Sequence, residues 1–388
     1  MFKGSVHHFS YSSSGGAGKI ASELVRGQRE FGLDATLTTH SQLSPSTAPL
    51  ADLGATLTAL VDNYLFARSN SELFSILRMQ LNRASKLILD RGSIVHLHWL
   101  PGLVSDQFVS EIAESGVPIV WTLHDQRPFT GGCHYSGTCG NYETGCSSCP
   151  QLRRPFRSLA SGSVNVRISS IPRESITFVA PSSGMLNSAR VSTICRMQNL
   201  VRIPNPISIN GQASKDSPER SSRKPQSNSW LVVAADLSEP RKGVGKVVRW
   251  WMENRPVGAK LTLVGNGGRE FSDVHPSIEV VGAVSGEKLS SFYSEASGLI
   301  FGSSVDNAPG VVAEALSFGL DVYCLDPDMR KWLQEDGAPV QSIDNVFTSS
   351  KVKVSPAEIW KYLADRSLGS VTAEYVKLYG KLSDSRII

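Results

Sequence analysis

Residues 297–326, SGLIFGSSVDNAPGVVAEALSFGLDVYCLD, contain the pattern that decides the fold of this chain. They read as an apolar strand, a short loop, a helix and a second strand. Pro309 stands in the first turn of the predicted helix and Gly319 at its C-terminal stop, which is the usual asymmetry of helix ends. A strand–helix–strand unit of this kind predicts parallel strands that are covered by a helix.

The same alternation runs through both halves of the chain. In the first half, strands are predicted near residues 6–11, 35–39, 94–99, 119–124 and 177–180. In the second half, they are predicted at 230–237, 259–267, 277–284, 297–304 and 321–326. Helices are predicted between them, including 19–30 and 70–89. The sequence therefore predicts an α/β protein with two doubly wound parallel sheets.

The chain has 388 residues, a length that fits two domains. Residues 211–229, GQASKDSPERSSRKPQSNS, lack apolar periodicity and form a predicted connector. We expect an N-terminal domain at 1–208 with a cysteine-rich loop at 131–152, and a second domain at 209–370. Residues 371–388 are expected to form a helix that packs back toward the N-terminal domain. Two such domains imply a cleft between them.

Composition and charge narrow the class of protein. The chain is 40% hydrophobic and 19% charged, and its apolar runs are too short to span a bilayer. No long apolar segment follows Met1, so we expect a cytoplasmic protein with reduced cysteines. The net charge of +4 does not indicate nucleic-acid binding.

One stretch is more strongly basic. Residues 151–173 contain five arginines and no acidic residue: Arg153, Arg154, Arg157, Arg167 and Arg173. A solvated surface loop is one interpretation. Peripheral contact with an anionic membrane or an anionic acceptor is the other.

A glycine-rich loop, SSSGGAGKI at 12–20, follows the first strand and opens a helix. It departs from the Walker sequence, and the acidic residue that a dinucleotide fold requires after its second strand is missing. Gly15, Gly16 and Gly18 could still bring backbone N–H groups close to a phosphate or a substrate. A plain tight turn is the alternative.

Two further motifs in the second half suit an anionic ligand. Arg241 and Lys242 lie on the loop after the first strand, where two cations could bind a diphosphate. The helix N-terminus at Gly310 could bind a phosphate, and Glu314 could accept both hydroxyls of a ribose. The alternatives are a solvated loop and an acidic residue that complements the helix dipole.

Histidines and acidic residues follow several strands. His98 and His124 stand at the carboxyl ends of two first-half strands, where ligands of such sheets bind, whereas His8 is interpreted as structural. Asp326 and Asp328 form a D-x-D pair, which suits a divalent ion with substrate phosphates or an ordinary turn.

Four cysteines lie in one loop with the spacing C-x5-C-x6-C-x2-C: Cys133, Cys139, Cys146 and Cys149. Four thiols match a structural zinc site in ligand number, with His134 as a spare ligand. Packed free thiols and disulfides are the alternatives, and a reducing cytoplasm disfavours the disulfides.

Taken together, the motifs resemble those of retaining glycosyltransferases of family 4 with the GT-B fold. The resemblance rests on four segments in the expected order: WTLHDQRPFTGGCHYSGTCGNYETGCSSCPQL at 121–152, IPNP at 203–206, LSEPRKG at 237–243 and DNAPGVVAEALSFG at 306–319. It is closest to the bacterial subgroup that assembles exopolysaccharides such as colanic acid. The resemblance implies two Rossmann-like domains that face a central cleft.

The resemblance also implies roles for individual residues. In the first half, Gly15, Gly16 and Gly18 lie near the donor diphosphate and the acceptor. His124, with Asp125 beside it, contacts the donor sugar at the reacting carbon. His98 and Arg127 are assigned to the acceptor.

In the second half, the resemblance implies that Arg241 and Lys242 hold the diphosphate. The E-x7-E element of the family maps onto Asp306 and Glu314, with Glu314 on the ribose. The donor-binding backbone is formed by Asn307, Pro309 and Gly310.

Three positions depart from the family pattern. Asp306 replaces a glutamate, and Leu237 stands where an arginine is usual. Arg127 occupies a position that is aromatic in many relatives.

The resemblance implies transfer of a sugar with retention from a nucleotide-diphosphate sugar, UDP- or GDP-linked, to a saccharide that could be lipid-linked. Fixed positive charge at the diphosphate is the main demand, so no metal cofactor is expected for catalysis. Two alternatives are a nucleotide-sugar epimerase of GT-B architecture and a non-catalytic sugar-nucleotide-binding protein.

Overall fold

The structure is a computed structural model that describes residues 2–43, 57, 60–68, 73–76, 92–207, 228–348 and 354–384. The chain divides into two compact units. Unit 1 comprises Met1–Pro206 and Leu368–Ile388, and unit 2 comprises Ile207–Ser367. The observed boundaries lie two residues before the expected 208 and three before the expected 370.

Unit 1 is built on a six-stranded parallel sheet with the spatial order β2-β1-β3-β4-β5-β6. Its strands are β1 (Ser5–Phe9), β2 (Asp34–Thr38), β3 (Ile94–Leu97), β4 (Ile119–Thr122), β5 (Ile176–Ala180) and β6 (Asn199–Arg202). Among the described residues before the connector, the helices are α1 (Gly15–Glu30), α2 (His40–Leu43), α3 (Asp106–Ser115), α4 (Leu159–Ser170) and α5 (Ser183–Val191). A π-helix at Val61–Phe66 and short 3-10 turns also occur in this part of the chain.

Unit 2 contains a second six-stranded parallel sheet, with the order β12-β11-β10-β7-β8-β9. Its strands are β7 (Ser229–Asp236), β8 (Lys260–Asn266), β9 (Ile278–Gly282), β10 (Gly298–Phe301), β11 (Asp321–Cys324) and β12 (Gln341–Ser342). Its helices are α6 (Val244–Asn254), α7 (Gly286–Glu295), α8 (Gly310–Ser317), α9 (Pro327–Glu335) and α10 (Pro356–Ala364). If these six strands are numbered 1 to 6 in chain order and read from the β9 edge, their order is 3-2-1-4-5-6, which is typical of dinucleotide-binding folds.

The last helix, α11 (Leu368–Asp384), follows unit 2 in sequence but packs in unit 1. Tyr375 and Tyr379 of α11 are buried with Leu24 of α1 in one apolar cluster. Gly27 of α1 makes the close approach possible, because a Cβ atom there would lie 2.3 Å from Thr372 Oγ1.

The prediction of an α/β fold with two parallel sheets is confirmed. Two edge strands were not predicted, because β6 has four partly exposed residues and β12 has only two, too few to form a recognisable pattern. The predicted helix at 70–89 falls largely outside the described residues. At its described part, Phe74 forms an isolated antiparallel bridge with Cys133.

Candidate functional site

The loops after β7 and β10 meet at the topological switch point of unit 2. These two strands are neighbours in the sheet, and the strand order reverses between them. Ligands of doubly wound sheets bind outside the carboxyl ends of the strands at such a point. The loops carry Arg241 and Lys242 on one side and residues 302–310 on the other.

Two glycines bring these loops into contact. Gly243 has φ of 65°, and a Cβ atom on it would lie 2.0 Å from the carbonyl oxygen of Gly302. Only glycine fits this left-handed position against another backbone. Ser304 N also donates to Arg241 O at 3.0 Å. The two loops are therefore joined through their backbones.

Each cation of the first loop is paired with a carboxylate. Lys242 Nζ lies 2.7 Å from Asp306 Oδ2, and both side chains are less than one-fifth exposed, at 16% and 13%. The guanidinium of Arg241 forms two hydrogen bonds to Glu239, one of 3.0 Å from Nη2 to Oε2. Two adjacent cations are thus held in fixed positions by carboxylates of the same two loops.

The second loop leads into α8, which begins at Gly310 after Pro309 as the N-cap residue. Gly310 is exposed, and a Cβ atom on it would have no neighbouring atom within 4 Å outside its own helix backbone, so no other described part of unit 2 crowds the start of α8 at this position. Glu314 lies one turn further along and accepts a hydrogen bond of 3.1 Å from the Tyr293 hydroxyl. Burial and the neighbouring Glu314 raise the pKa of Tyr293, which therefore stays a neutral donor.

Leu237 stands where the resemblance would place an arginine, and it is buried with 1% exposure. Its side chain packs in the core beside Val244 and Val247, and it lies against Gly268. A charged residue could not occupy this environment without a partner. Positive charge in this loop is therefore supplied by Arg241 and Lys242.

In unit 1, the glycine-rich loop connects β1 to α1. The helix begins at Gly15, four residues earlier than predicted, and Gly15 and Gly16 are exposed. Gly18 is buried, and a Cβ atom on it would lie 2.3 Å from the carbonyl oxygen of Ser12. Gly18 therefore allows close packing of loop and helix, while Gly15 and Gly16 present the helix N-terminus at the surface.

His124 follows β4 at the carboxyl edge of the unit 1 sheet. Its Nε2 lies 2.9 Å from His98 Nδ1. Burial lowers the pKa of His124 from 6.5 to about 4, although Asp125 opposes the shift. His124 is therefore neutral near pH 7 and can accept or donate a hydrogen bond without carrying charge.

Asp125 holds the start of the cysteine-rich segment. Its Oδ2 accepts hydrogen bonds from Trp99 Nε1 at 2.8 Å and pairs with His134 Nδ1 at 2.6 Å, and its Oδ1 accepts from Arg127 N. Burial alone would raise the pKa of this carboxyl. His134 and the backbone N–H of Arg127 lower it by more, so the pKa of Asp125 lies below its usual value. The structure therefore gives Asp125 a supporting position beside His124.

The two residues assigned to the acceptor lie in the interior. His98 is 2% exposed, and it is hydrogen-bonded to His8 and His124. Arg127 Nη1 pairs with Asp106 Oδ1 at 3.0 Å, and Arg167 lies 3.4 Å from the other oxygen of Asp106. Because a buried arginine needs a partner, Arg127 is held in this ion-pair cluster.

The four cysteines of the loop line one cavity of about 10 Å³. All six cysteines of the chain are free thiols. Burial raises the pKa of Cys133 to about 12 and that of Cys146 to about 11, so these two thiols stay protonated without a cation. Within the described ranges, one group of three possible metal ligands has its ligand atoms within 4.8 Å of one another. It consists of His8, His96 and His98.

The sequence analysis missed two residues that contact the candidate site. Glu239 could have been recognised from its position two residues before Arg241, whereas Tyr293 gave no signal because it lies 21 residues before Glu314.

The D-x-D motif has a simpler role than a metal site. Asp326 caps α9 by accepting a hydrogen bond from Met329 N at 2.9 Å. The D-x-D pair is thus helix-capping chemistry in this structure.

Comparison with known proteins supports the resemblance found in the sequence. No model of a known protein family matches the chain. The chain is 28% identical, over 84% of its length and 85% of the relative's, to the colanic acid biosynthesis glycosyl transferase WcaC of Escherichia coli K12. The expected similarity to a colanic-acid-type glycosyltransferase is thereby confirmed.

Solved structures confirm the fold. The sucrose-phosphate synthase of Thermosynechococcus elongatus matches 99% of this chain and 97% of its own, with 13% identity and a TM-score of 0.51. WaaG, a glycosyltransferase involved in lipopolysaccharide biosynthesis, matches 98% of both chains with 14% identity and a TM-score of 0.50. The architecture is GT-B. Among the described residues, no helix has the length and apolar character needed to cross a membrane.

Proposed function

We propose that this protein is a glycosyltransferase of polysaccharide biosynthesis that transfers a sugar from a nucleotide-diphosphate sugar to a saccharide hydroxyl. The similarity to the colanic acid enzyme and the GT-B fold support this proposal. The observation that carries it is the convergence of Arg241, Lys242 and the N-terminus of α8 at the switch point of unit 2.

The donor diphosphate is assigned to these two loops. Lys242 and Arg241 would exchange a carboxylate partner for phosphate oxygens, and the N–H groups at Gly310 would bind a further oxygen. Glu314 would accept hydrogen bonds from the ribose hydroxyls. The Tyr293 hydroxyl already donates to it and fixes its orientation.

We assign the reaction to transfer with retention at the anomeric carbon. The bond from that carbon to the diphosphate oxygen breaks, the acceptor oxygen forms the new bond, and the acceptor proton leaves with the diphosphate. Negative charge develops on the leaving diphosphate, where Lys242 and Arg241 would stabilise it without a divalent ion. His124 would contact the donor sugar, as the resemblance implies.

A peripheral position at an anionic membrane would suit a lipid-linked acceptor. Tyr64 and Leu65 of the π-helix are exposed, and the guanidinium of Arg153 donates to the carbonyl oxygen of Tyr64. Arg154 lies beside Arg153 and is also exposed. Basic and apolar side chains so arranged can bind headgroups and the acyl boundary together.

The cysteine-rich loop is assigned a structural role, with zinc as its expected ligand. Its cavity has room for about one water-sized sphere, and its lining includes all four thiols. Zinc would stabilise the thiolates that burial alone disfavours. No three of these four thiols lie within 4.8 Å of one another in the structure, so zinc would have to draw Cys133, Cys139, Cys146 and Cys149 together to close its coordination shell. Such an ion would hold the loop and leave catalysis to other residues.

A thermal-shift screen with UDP, GDP, ADP and their common sugars tests the donor site. A ligand that binds the folded protein raises the melting temperature by mass action. We expect one nucleotide to stabilise the wild type but not Glu314→Ala. The matched control is Glu335→Ala, which removes an exposed acid of the same unit away from the loops.

The outcomes of this screen and a transfer assay separate the candidate functions. Binding that survives Glu314→Ala would contradict the ribose assignment. Turnover of the donor without any acceptor would indicate an epimerase. Tight binding without turnover, with a range of saccharide acceptors present, would indicate a sugar-nucleotide-binding protein.

A further inference from the structure

Four histidines form a layer at the carboxyl edge of the unit 1 sheet, between the sheet and helices α1 and α11. His8 lies on β1 opposite His96 on β3, and His98 and His124 follow β3 and β4. His8, His96 and His98 are at most 2% exposed. Burial lowers the pKa of each of the four, so all are neutral near pH 7.

A continuous chain of hydrogen bonds joins His124 to the C-terminal helix. Its links are Tyr379 Oη to Gln28 Nε2 at 3.0 Å, Gln28 Oε1 to His8 Nε2 at 2.8 Å, His8 Nδ1 to His98 Nε2 at 2.9 Å, and His98 Nδ1 to His124 Nε2 at 2.9 Å. Three of its members, Gln28, His8 and Tyr379, have no role in the proposed reaction.

The side-chain amide of Gln28 gives this chain a direction. Its carbonyl oxygen can only accept, so His8 must carry its proton on Nε2. A neutral imidazole has one N–H, so His8 Nδ1 accepts from His98 Nε2, and His98 Nδ1 accepts from His124 Nε2. His124 is thereby held as the Nε2–H tautomer, with its lone pair on Nδ1.

The far end of the chain begins at the Gln28 amide. Gln28 Nε2 donates to Tyr379 Oη, which leaves the hydroxyl proton of Tyr379 for His96 Nδ1, 2.7 Å away. His96 Nε2 then donates to Thr122 Oγ1 at 2.8 Å. If the Gln28 amide were reversed, every proton from His8 to His124 would move to the other ring nitrogen.

We propose that Gln28 and Tyr379 are positioning residues that set the tautomer of His124 through His8 and His98. The importance of the His124 tautomer for catalysis rests on the proposed function, in which His124 contacts the donor sugar. In this tautomer Nδ1 of His124 can only accept a hydrogen bond. In the opposite tautomer it would donate one.

A metal ion held by His8, His96 and His98 is the competing explanation for this cluster. Their ligand atoms lie within 4.8 Å of one another. Both ring nitrogens of all three already have hydrogen-bond partners, which are other histidines of the layer, Gln28, Tyr379 or Thr122. Binding of a metal would break the chain at two or more links.

The test is the ¹⁵N NMR spectrum of protein labelled at histidine, with His124→Gln used to assign the His124 signals. Protonated and unprotonated ring nitrogens resonate far apart, so the spectrum reports the tautomer directly. In the wild type we expect His124 to show Nε2 protonated and Nδ1 unprotonated. In Gln28→Met and Tyr379→Phe, both signals should move toward the average of the two tautomers.

One variant serves as the control. Tyr375→Phe removes an equally buried hydroxyl of α11, which bonds Thr122 outside the path to His124, and should retain the wild-type tautomer. An unchanged His124 spectrum in both Gln28→Met and Tyr379→Phe would overturn the proposal. So would zinc that is bound by the wild type and lost in His8→Gln.

The spectrum is recorded without substrate, so its outcome is independent of the proposed reaction. If transfer is detected, kcat in Gln28→Met should fall about tenfold, as when outer partners of an orienting imidazole are removed, while Tyr375→Phe stays near wild type. A protein without transferase activity would count against the proposed function and would leave the tautomer result standing.

Discussion

Lys242 is held by Asp306 before any ligand binds, so its charge is already positioned. We expect Lys242→Ala to weaken nucleotide-diphosphate binding by about 10- to 100-fold, because a hydrogen bond to a charged group contributes about 1.5–3 kcal/mol. Isothermal titration of the stabilising nucleotide measures the loss. Lys246→Ala, which removes an exposed lysine one turn along α6, is the control. Equal affinity in the two variants would remove Lys242 from the diphosphate site.

The residue scale also shows how far a sequence can predict a site. Arg241, Lys242 and Gly310 follow strand ends, and strand ends of a parallel sheet lie at one edge, so their proximity could be expected. Arg127 could not be placed in this way, because its partner Asp106 lies 21 residues earlier on α3. Pairing of buried charges depends on packing, which leaves no pattern in the chain.

At the scale of elements, the contact between α1 and α11 depends on Gly27. Gly27→Ala should lower the free energy of unfolding by about 1–3 kcal/mol, since the new Cβ would overlap Thr372 and Leu368. Helix propensity alone would predict a gain of up to about 1 kcal/mol. Gly380→Ala in α11, where no atom lies within 4 Å of the new Cβ, should show that gain. Urea unfolding measures both, and two stabilised variants would disprove the close contact.

The histidine layer should make stability depend on pH. Burial lowers the pKa of His8 and of His124 from 6.5 to about 4 in the folded protein. The unfolded chain therefore binds more protons below pH 6.5, and folding stability, fully present above pH 6.5, declines as the pH falls toward 4. Each histidine contributes up to about 1.4 kcal/mol per pH unit. Urea unfolding between pH 7.5 and 5.5 should show a shallower decline in His8→Gln, and identical slopes would contradict the neutral layer.

At the scale of the whole molecule, unit 1 contains two separate parts of the chain. Deletion of 368–388 should expose the apolar face of α1 and the histidine layer, because α11 covers both. Amides of β1 and β3 should then exchange hydrogen faster, whereas amides of β7 and β10 in unit 2 should keep their protection. Unchanged exchange in β1 and β3 would show that α11 contributes little to unit 1.

The gross architecture was accessible from the sequence, but its order in space was not. Alternating apolar runs predicted both parallel sheets, and the Ser- and Pro-rich segment marked the change from one to the other. The strand orders differ between the sheets, with β1 beside β3 in unit 1 and β7 beside β10 in unit 2. Periodicity reports which face of a strand is buried and carries no information about its neighbours.

The return of α11 to unit 1 affects how the protein folds during synthesis. Ribosomes add about 5–20 residues per second, so on the order of ten seconds or more separates completion of Pro206 from completion of Ser367. Throughout that interval, while unit 2 is still being synthesised, the first sheet lacks α11 as its covering helix. The nascent chain thus passes through a stage with Leu24 and His96 unprotected, and chaperone binding would be most valuable then.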